Sequence, residues 1–170
     1  MNFRRIALCL MALCLAVPAL AQMNAGRETA TATVNGKKLS IDYGSPNWGG
    51  QDRLAMATTG TVWRLGMNKP TVIETEGDLN VAGKQLKAGK YSLWAKKTGD
   101  NAWVLAFHPT IPPWGVPELK EGYAAELPLK METAKDHAEK LTISLADMKG
   151  KAGIKIHWGT AVLVGSFGVK

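Results

Sequence analysis

Beyond residue 21 the chain has no cysteine, because Cys9 and Cys14 both fall in the first 21 residues. Disulfides, thiol catalysis and cysteine-based metal sites are therefore excluded from the rest of the protein. The same region lacks an H-E-x-x-H, a G-x-S-x-G, a Gly-rich phosphate loop and a dinucleotide fingerprint. Its three histidines, His108, His137 and His157, share no close ligand spacing, so they are expected as scattered surface residues. No metal and no cofactor is expected. Of the 21 basic residues, Arg4 and Arg5 lie in the first segment, leaving 19 against 14 acidic ones and a net charge of +5. The lysines are spread along the chain without a dense cluster, which describes a solvated surface rather than a nucleic-acid footprint.

The first segment has the anatomy of a secretory signal. Arg4-Arg5 form a positive start, Ile6 to Val17 an apolar run, and Ala19-Leu20-Ala21 a small-residue cleavage site. The apolar run is shorter than the roughly 20 residues that span a bilayer, so cleavage after Ala21 is the expectation, with no membrane segment left behind. The mature protein is then periplasmic or secreted. Residues 22–27 read as a flexible leader and residues 28–170 as one domain.

What remains is a β pattern. Thr29, Thr31 and Thr33 alternate with small residues up to a tight Asn35-Gly36 turn, and Leu39, Ile41 and Tyr43 follow on one face. In Val62-Trp63-Arg64-Leu65, Trp63 and Leu65 are expected on one side of a strand and Val62 and Arg64 on the other. Further strands are expected at 71–76, 79–82, 90–96, 102–108, 141–145, 154–158 and 160–167. Tyr123 to Met131 reads as an edge strand because Pro128 cannot donate to a ladder. Asp52 is placed to cap one helical turn through Met56. Pro109 to Gly122 reads as a long irregular loop, and the charged run Glu132 to Lys140 as a short helix or a solvated connection. All 18 glycines lie after the first segment, as frequent turns require. The fold class is all-β: a single antiparallel β-sandwich, jelly-roll-like or a partly closed barrel, of about ten short strands.

Several motifs lie along this pattern. Trp63-Arg64, Gly66, Asn68 and Thr71 spell W-R-x-G-x-N-x-x-T; Ile41-Asp42-Tyr43-Gly44 with Pro46, Ala88-Gly89-Lys90-Tyr91-Ser92-Leu93, Trp114-Gly115 and Trp158 accompany it. Together they resemble the bacterial domain of unknown function (DUF) 2911 family over roughly Glu28 to Val164. The resemblance implies an exported all-β domain and brings no catalytic residues with it. The chain departs from the family pattern at Lys69-Pro70, where an acidic residue and alanine usually follow the asparagine. If that acid pairs with the arginine elsewhere in the family, Arg64 needs another partner here.

Two readings of the site stay open. In one, Arg64 and Asn68 grip a glycan or small anionic ligand, with Trp48, Trp94 and Trp114 as exposed indoles for stacking. The protein is then a non-catalytic binding or interaction module of the cell envelope, with an envelope protein as a further partner. In the other, it is an envelope hydrolase acting on glycans or esters through histidine or a carboxylate pair, Asp42 and Glu74 first among them. Against both stands a structural role for Arg64, paired with Asp42 or Glu74 to tie strands together. Trp63, Trp103 and Trp158 share faces with Leu65, Leu105 and Ile156 and are expected in the core.

Overall fold

The computed structural model describes residues 26–113 and 117–170. The expected signal peptide of residues 1–21 and its expected cleavage site therefore lie outside the described residues. Strand β1 (Arg27–Val34) turns through Asn35-Gly36, both with positive φ, into β2 (Lys37–Gly44). The strand begins one residue before the expected Glu28, since Arg27 pairs with Gly44 in register. A one-turn helix α1 (Arg53–Met56) follows, capped as expected by Asp52, whose Oδ1 accepts from the Ala55 N–H at 3.2 Å. Then come β3 (Val62–Trp63), β4 (Thr71–Thr75), β5 (Leu79–Val81), β6 (Lys84–Leu86), β7 (Gly89–Lys97) and β8 (Ala102–His108). The chain ends in a long hairpin, β9 (Ala125–Asp147) and β10 (Lys151–Val169).

The strands form one antiparallel sheet in the order β1-β2-β4-β7-β8-β9-β10-β5-β6, with β3 pairing β7 off that path. The all-β class is as expected, and the sheet stays open while curling on itself. Tyr43 and Ser45, at the end of β2, donate hydroxyl hydrogen bonds to the Ile143 and Leu141 carbonyls of β9. A single bridge, Asn47 with Lys140, joins the two beyond them. Alternation makes this possible: Leu39, Ile41 and Tyr43, then Leu141 and Ile143, point inward into one cluster with Leu93, Leu105, Phe107 and Ile156. Each such side chain contributes roughly 1.5–3 kcal/mol on burial.

Two strands are not short, which departs from the expectation. Glu132 to Lys140 is neither helix nor connection but the middle of β9. Nine residue steps on β9, from Thr133 to Thr142, stand against four on β10, from His157 to Ala161. The surplus residues bulge, and bulges bend a strand and increase its twist. The charged side chains sit mostly on the solvent side of this corner, so no apolar alternation marks it as extended. The Tyr123 to Met131 stretch is not an edge either: β9 pairs with β8 along Ala125 to Lys130 and with β10 from Lys130 onward.

The inside of the corner is Gly159, with φ +63° and the Trp48 indole lying against it. A Cβ there would sit 2.7 Å from Trp48 Cδ1 and overlap Nε1. Gly159→Ala combines a left-handed backbone cost with overpacking, and a stability loss of about 2–5 kcal/mol is expected. Urea unfolding monitored by tryptophan fluorescence measures it; a loss below about 0.5 kcal/mol would show that the corner does not depend on this contact.

Candidate functional site

Strands β3 and β4 lie end to end along β7. Trp63 pairs with Ala95 and Thr71 with Leu93, so residues 64–70 leave the sheet and return to it opposite Trp94 alone. The expected strand through Leu65 thus stops at Trp63, and Leu65 (φ +55°) and Asn68 (φ +62°) turn the chain in the left-handed region. Thr71 Oγ1 closes the base of the excursion by donating to the Leu65 carbonyl at 2.7 Å. Gly66 and Gly44 meet backbone to backbone: a Cβ on Gly66 would lie 2.7 Å from the Gly44 oxygen. Gly66 and Thr71 of the W-R-x-G-x-N-x-x-T stretch are thereby accounted for as architecture.

The excursion also shapes a cavity of about 520 Å³ beneath the loop joining β2 to β3. Its wall is aromatic. Trp63 stacks on Trp158 with ring centroids 5.5 Å apart and planes 9° from parallel, and Trp103 of β8 lines the same space. Leu54 and Ala57, from α1 and its end, face it from the loop, and Asn47, Gln51 and Arg53 bring polar groups. No aspartate or glutamate lines it, and Arg53 is its single charged lining residue. The indole Nε1 atoms of Trp103 and Trp158 are buried with no hydrogen-bond acceptor among the described residues. A volume of a few hundred Å³, largely apolar with few polar groups, is what small-molecule sites have.

The residues singled out from the sequence do not gather there. Arg64 meets Glu118 of the Pro-rich segment, Nη2 to Oε1 at 3.2 Å, with the two side chains 25% and 34% exposed. It does not pair with Asp42 or Glu74, because the excursion carries it off the sheet on which they lie. Asp42 is held by Arg27 at 2.5 and 3.2 Å, and Glu74 faces Lys90 across the β4–β7 ladder at 3.2 Å. Asn68 is partly buried and outside the cavity lining. Trp94, expected as an exposed indole, is 1% exposed, and its Nε1 donates to Ser92 Oγ at 2.9 Å. Ser92 in turn donates to the Thr110 carbonyl at 2.7 Å, which places the Pro-rich segment beside that face of β7. Trp48 is half-buried, edge-on to His137 at 4.5 Å. Trp114 lies outside the described residues.

Trp103 and Trp158 are buried and Trp63 is partly so, packed against the core as expected. Their role in lining a cavity was missed. The available signal was the Pro46 to Thr59 loop, which offers three flat inward rings only Leu54 as a large buried plug. His157 is buried in β10, contrary to the expected surface position, although it stands two residues from exposed Lys155 on the same strand face; the pairing with β9 slips there at the corner. Among the described residues no group of three His, Cys, Asp or Glu side chains is placed to hold a metal. No helix among them is long and apolar enough to cross a membrane.

An open, curled antiparallel sheet with an indole-lined cavity under one loop defines an all-β protein with a pocket of small-molecule size. The chain belongs to the family of proteins of unknown function DUF2911, whose model matches residues 25–165. No curated protein and no solved structure matches it.

The Glu118 carboxyl is held below its ordinary value of 4.5 by its own backbone N–H and by Arg64, against the opposing effect of partial burial. A folded-state value below the unfolded one stabilises the fold above pH 4.5, and that contribution is lost as the pH falls through the lower folded value. Glu118→Gln is expected to cost no more than about 1 kcal/mol at pH 7, as half-exposed pairs do. The cost should be smaller at pH 3 than at pH 7, because the parent carboxyl takes up its proton as the pH falls through that lowered value. Paired urea titrations at the two pH values check this, and an equal deficit at both would remove the ion pair as its cause.

Proposed function

We propose that this protein is a non-catalytic binding module of the cell envelope, and that the indole-lined cavity takes a small ring-bearing ligand. The observation that carries the reading is the parallel Trp63–Trp158 stack with Trp103 beside it, in a space of about 520 Å³. Flat apolar walls bind flat apolar faces, through burial of area and through the offset stacking that aromatic rings favour. Asp42 and Glu74, the carboxylates considered for hydrolysis, each sit in an ion pair on exposed strand positions, which supports binding over catalysis. The envelope assignment rests on the Arg4-Arg5 start, the apolar run and the Ala19-Leu20-Ala21 site.

A neutral naphthylamine dye, which brightens in apolar surroundings, is expected to bind the mature protein with one-to-one stoichiometry and to quench its tryptophans. Ala57→Phe, which fills the cavity from the loop side, should weaken that binding at least about tenfold, or roughly 1.4 kcal/mol. Its unfolding midpoint should be no lower than the parent's, because the added ring buries apolar area against the three indoles. If the dye does not bind, or binds the filled variant equally well, the cavity is not the site. For export, the N-terminal residue of protein recovered from the envelope fraction is expected to be Gln22; an intact N-terminus there would overturn the cleavage.

A further inference from the structure

We propose that the ligand of the indole cavity is an anion, a flat ring system carrying a carboxylate or similar oxyanion that Arg53 receives at the cavity wall. The proposal rests on the binding reading above and adds the charge of what is bound. Three arginines occur among the described residues. Two are engaged with carboxylates: Arg27 with Asp42 and Arg64 with Glu118. Arg53 lines the cavity and has no ion-pair or side-chain hydrogen-bond partner among the described residues. A guanidinium is always charged, donates through a planar fork and matches an oxyanion bidentately.

The rest of the lining has the same bias. It contains no carboxylate, so no negative charge there would draw a cation or repel an anion. Indole faces alone attract cations, but the exposed Arg53 guanidinium at the cavity wall opposes a second positive charge. Asn47 and Gln51 add amides nearby, which can turn their N–H groups toward an oxyanion. An acceptor-only head group on an apolar ring therefore complements this site, and an ammonium head group does not.

Three competitors with one ring separate charge from shape: naphthoate, naphthalenemethanol and naphthylmethylammonium, each displacing the neutral naphthylamine dye from the mature protein. Naphthoate is expected to compete at least tenfold better than the alcohol, and the ammonium worse than both. Arg53→Gln should cut the advantage of naphthoate over the alcohol to less than twofold while changing the alcohol's own competition little. Arg53→Lys should keep part of it, and raised salt should weaken naphthoate alone. Equal competition by acid and alcohol, or an advantage that survives Arg53→Gln, would overturn the anion assignment while leaving the cavity as a site. Failure of the dye itself to bind would remove the binding reading, and this inference with it.

Discussion

At the end of β2 two stretches of backbone touch with only glycine between them, and much of the architecture follows from that contact. A Cβ on Gly44 would overlap the Met67 carbonyl, and one on Gly66 would crowd the Gly44 oxygen and Thr71 Oγ1. Interiors are close-packed, so an added methyl here must displace main chain rather than a yielding side-chain tip. The close approach lets residues 64–70 leave the sheet and rejoin it in the same lane along β7. It leaves Trp63 stacked on Trp158 and sends Arg64 to the Pro-rich segment. One contact thus sets the cavity wall and the position of the guanidinium that caught attention in the sequence.

The excursion is also where the chain departs from relaxed backbone geometry. Five residues other than glycine have positive φ among the described ones. Asn35, Ala82 and Lys149 each precede a glycine in a two-residue hairpin turn, where such angles match the twist of the flanking strands. Leu65 and Asn68 do not, and a left-handed leucine costs roughly 1–2 kcal/mol. Burial of the Leu65 side chain and the Thr71 hydrogen bond to its carbonyl offset that cost. Strain of this kind persists only where surrounding structure over-determines it. Here it lies directly beside Gly66 and Met67, which line the cavity.

Local signals were legible from sequence, and non-local ones were not. The Asn35-Gly36 hairpin, the inward run Leu39, Ile41, Tyr43 and the Asp52 cap depend on neighbours a few residues apart, and alternation or turn chemistry reveals them. Glu132 to Lys140 is extended only because β10 pairs with its flanks, and its mostly solvated side chains carry no period of two. The partner of Arg64 lies 54 residues away, and the covering of Trp94 depends on where the Pro-rich segment returns. The cavity was invisible for a different reason. Periodicity says which rings point inward, and only the fold says whether anything fills the space between them.

Whether that space is a by-product of the architecture can be argued from its small residues. Gly66 is small because Gly44 and Thr71 leave no room for a Cβ, so the chain had no choice there. No comparable constraint is visible at Ala57, which leaves α1 with extended backbone and is only partly buried. A leucine or phenylalanine at that position would add apolar area against three indoles, and burying such a side chain contributes roughly 1.5–3 kcal/mol. A chain shaped by stability alone has an accessible way to fill the cavity and does not take it. With the one unpaired arginine of the described residues on the same wall, the open volume has the charge and the apolar faces that the proposed occupant requires.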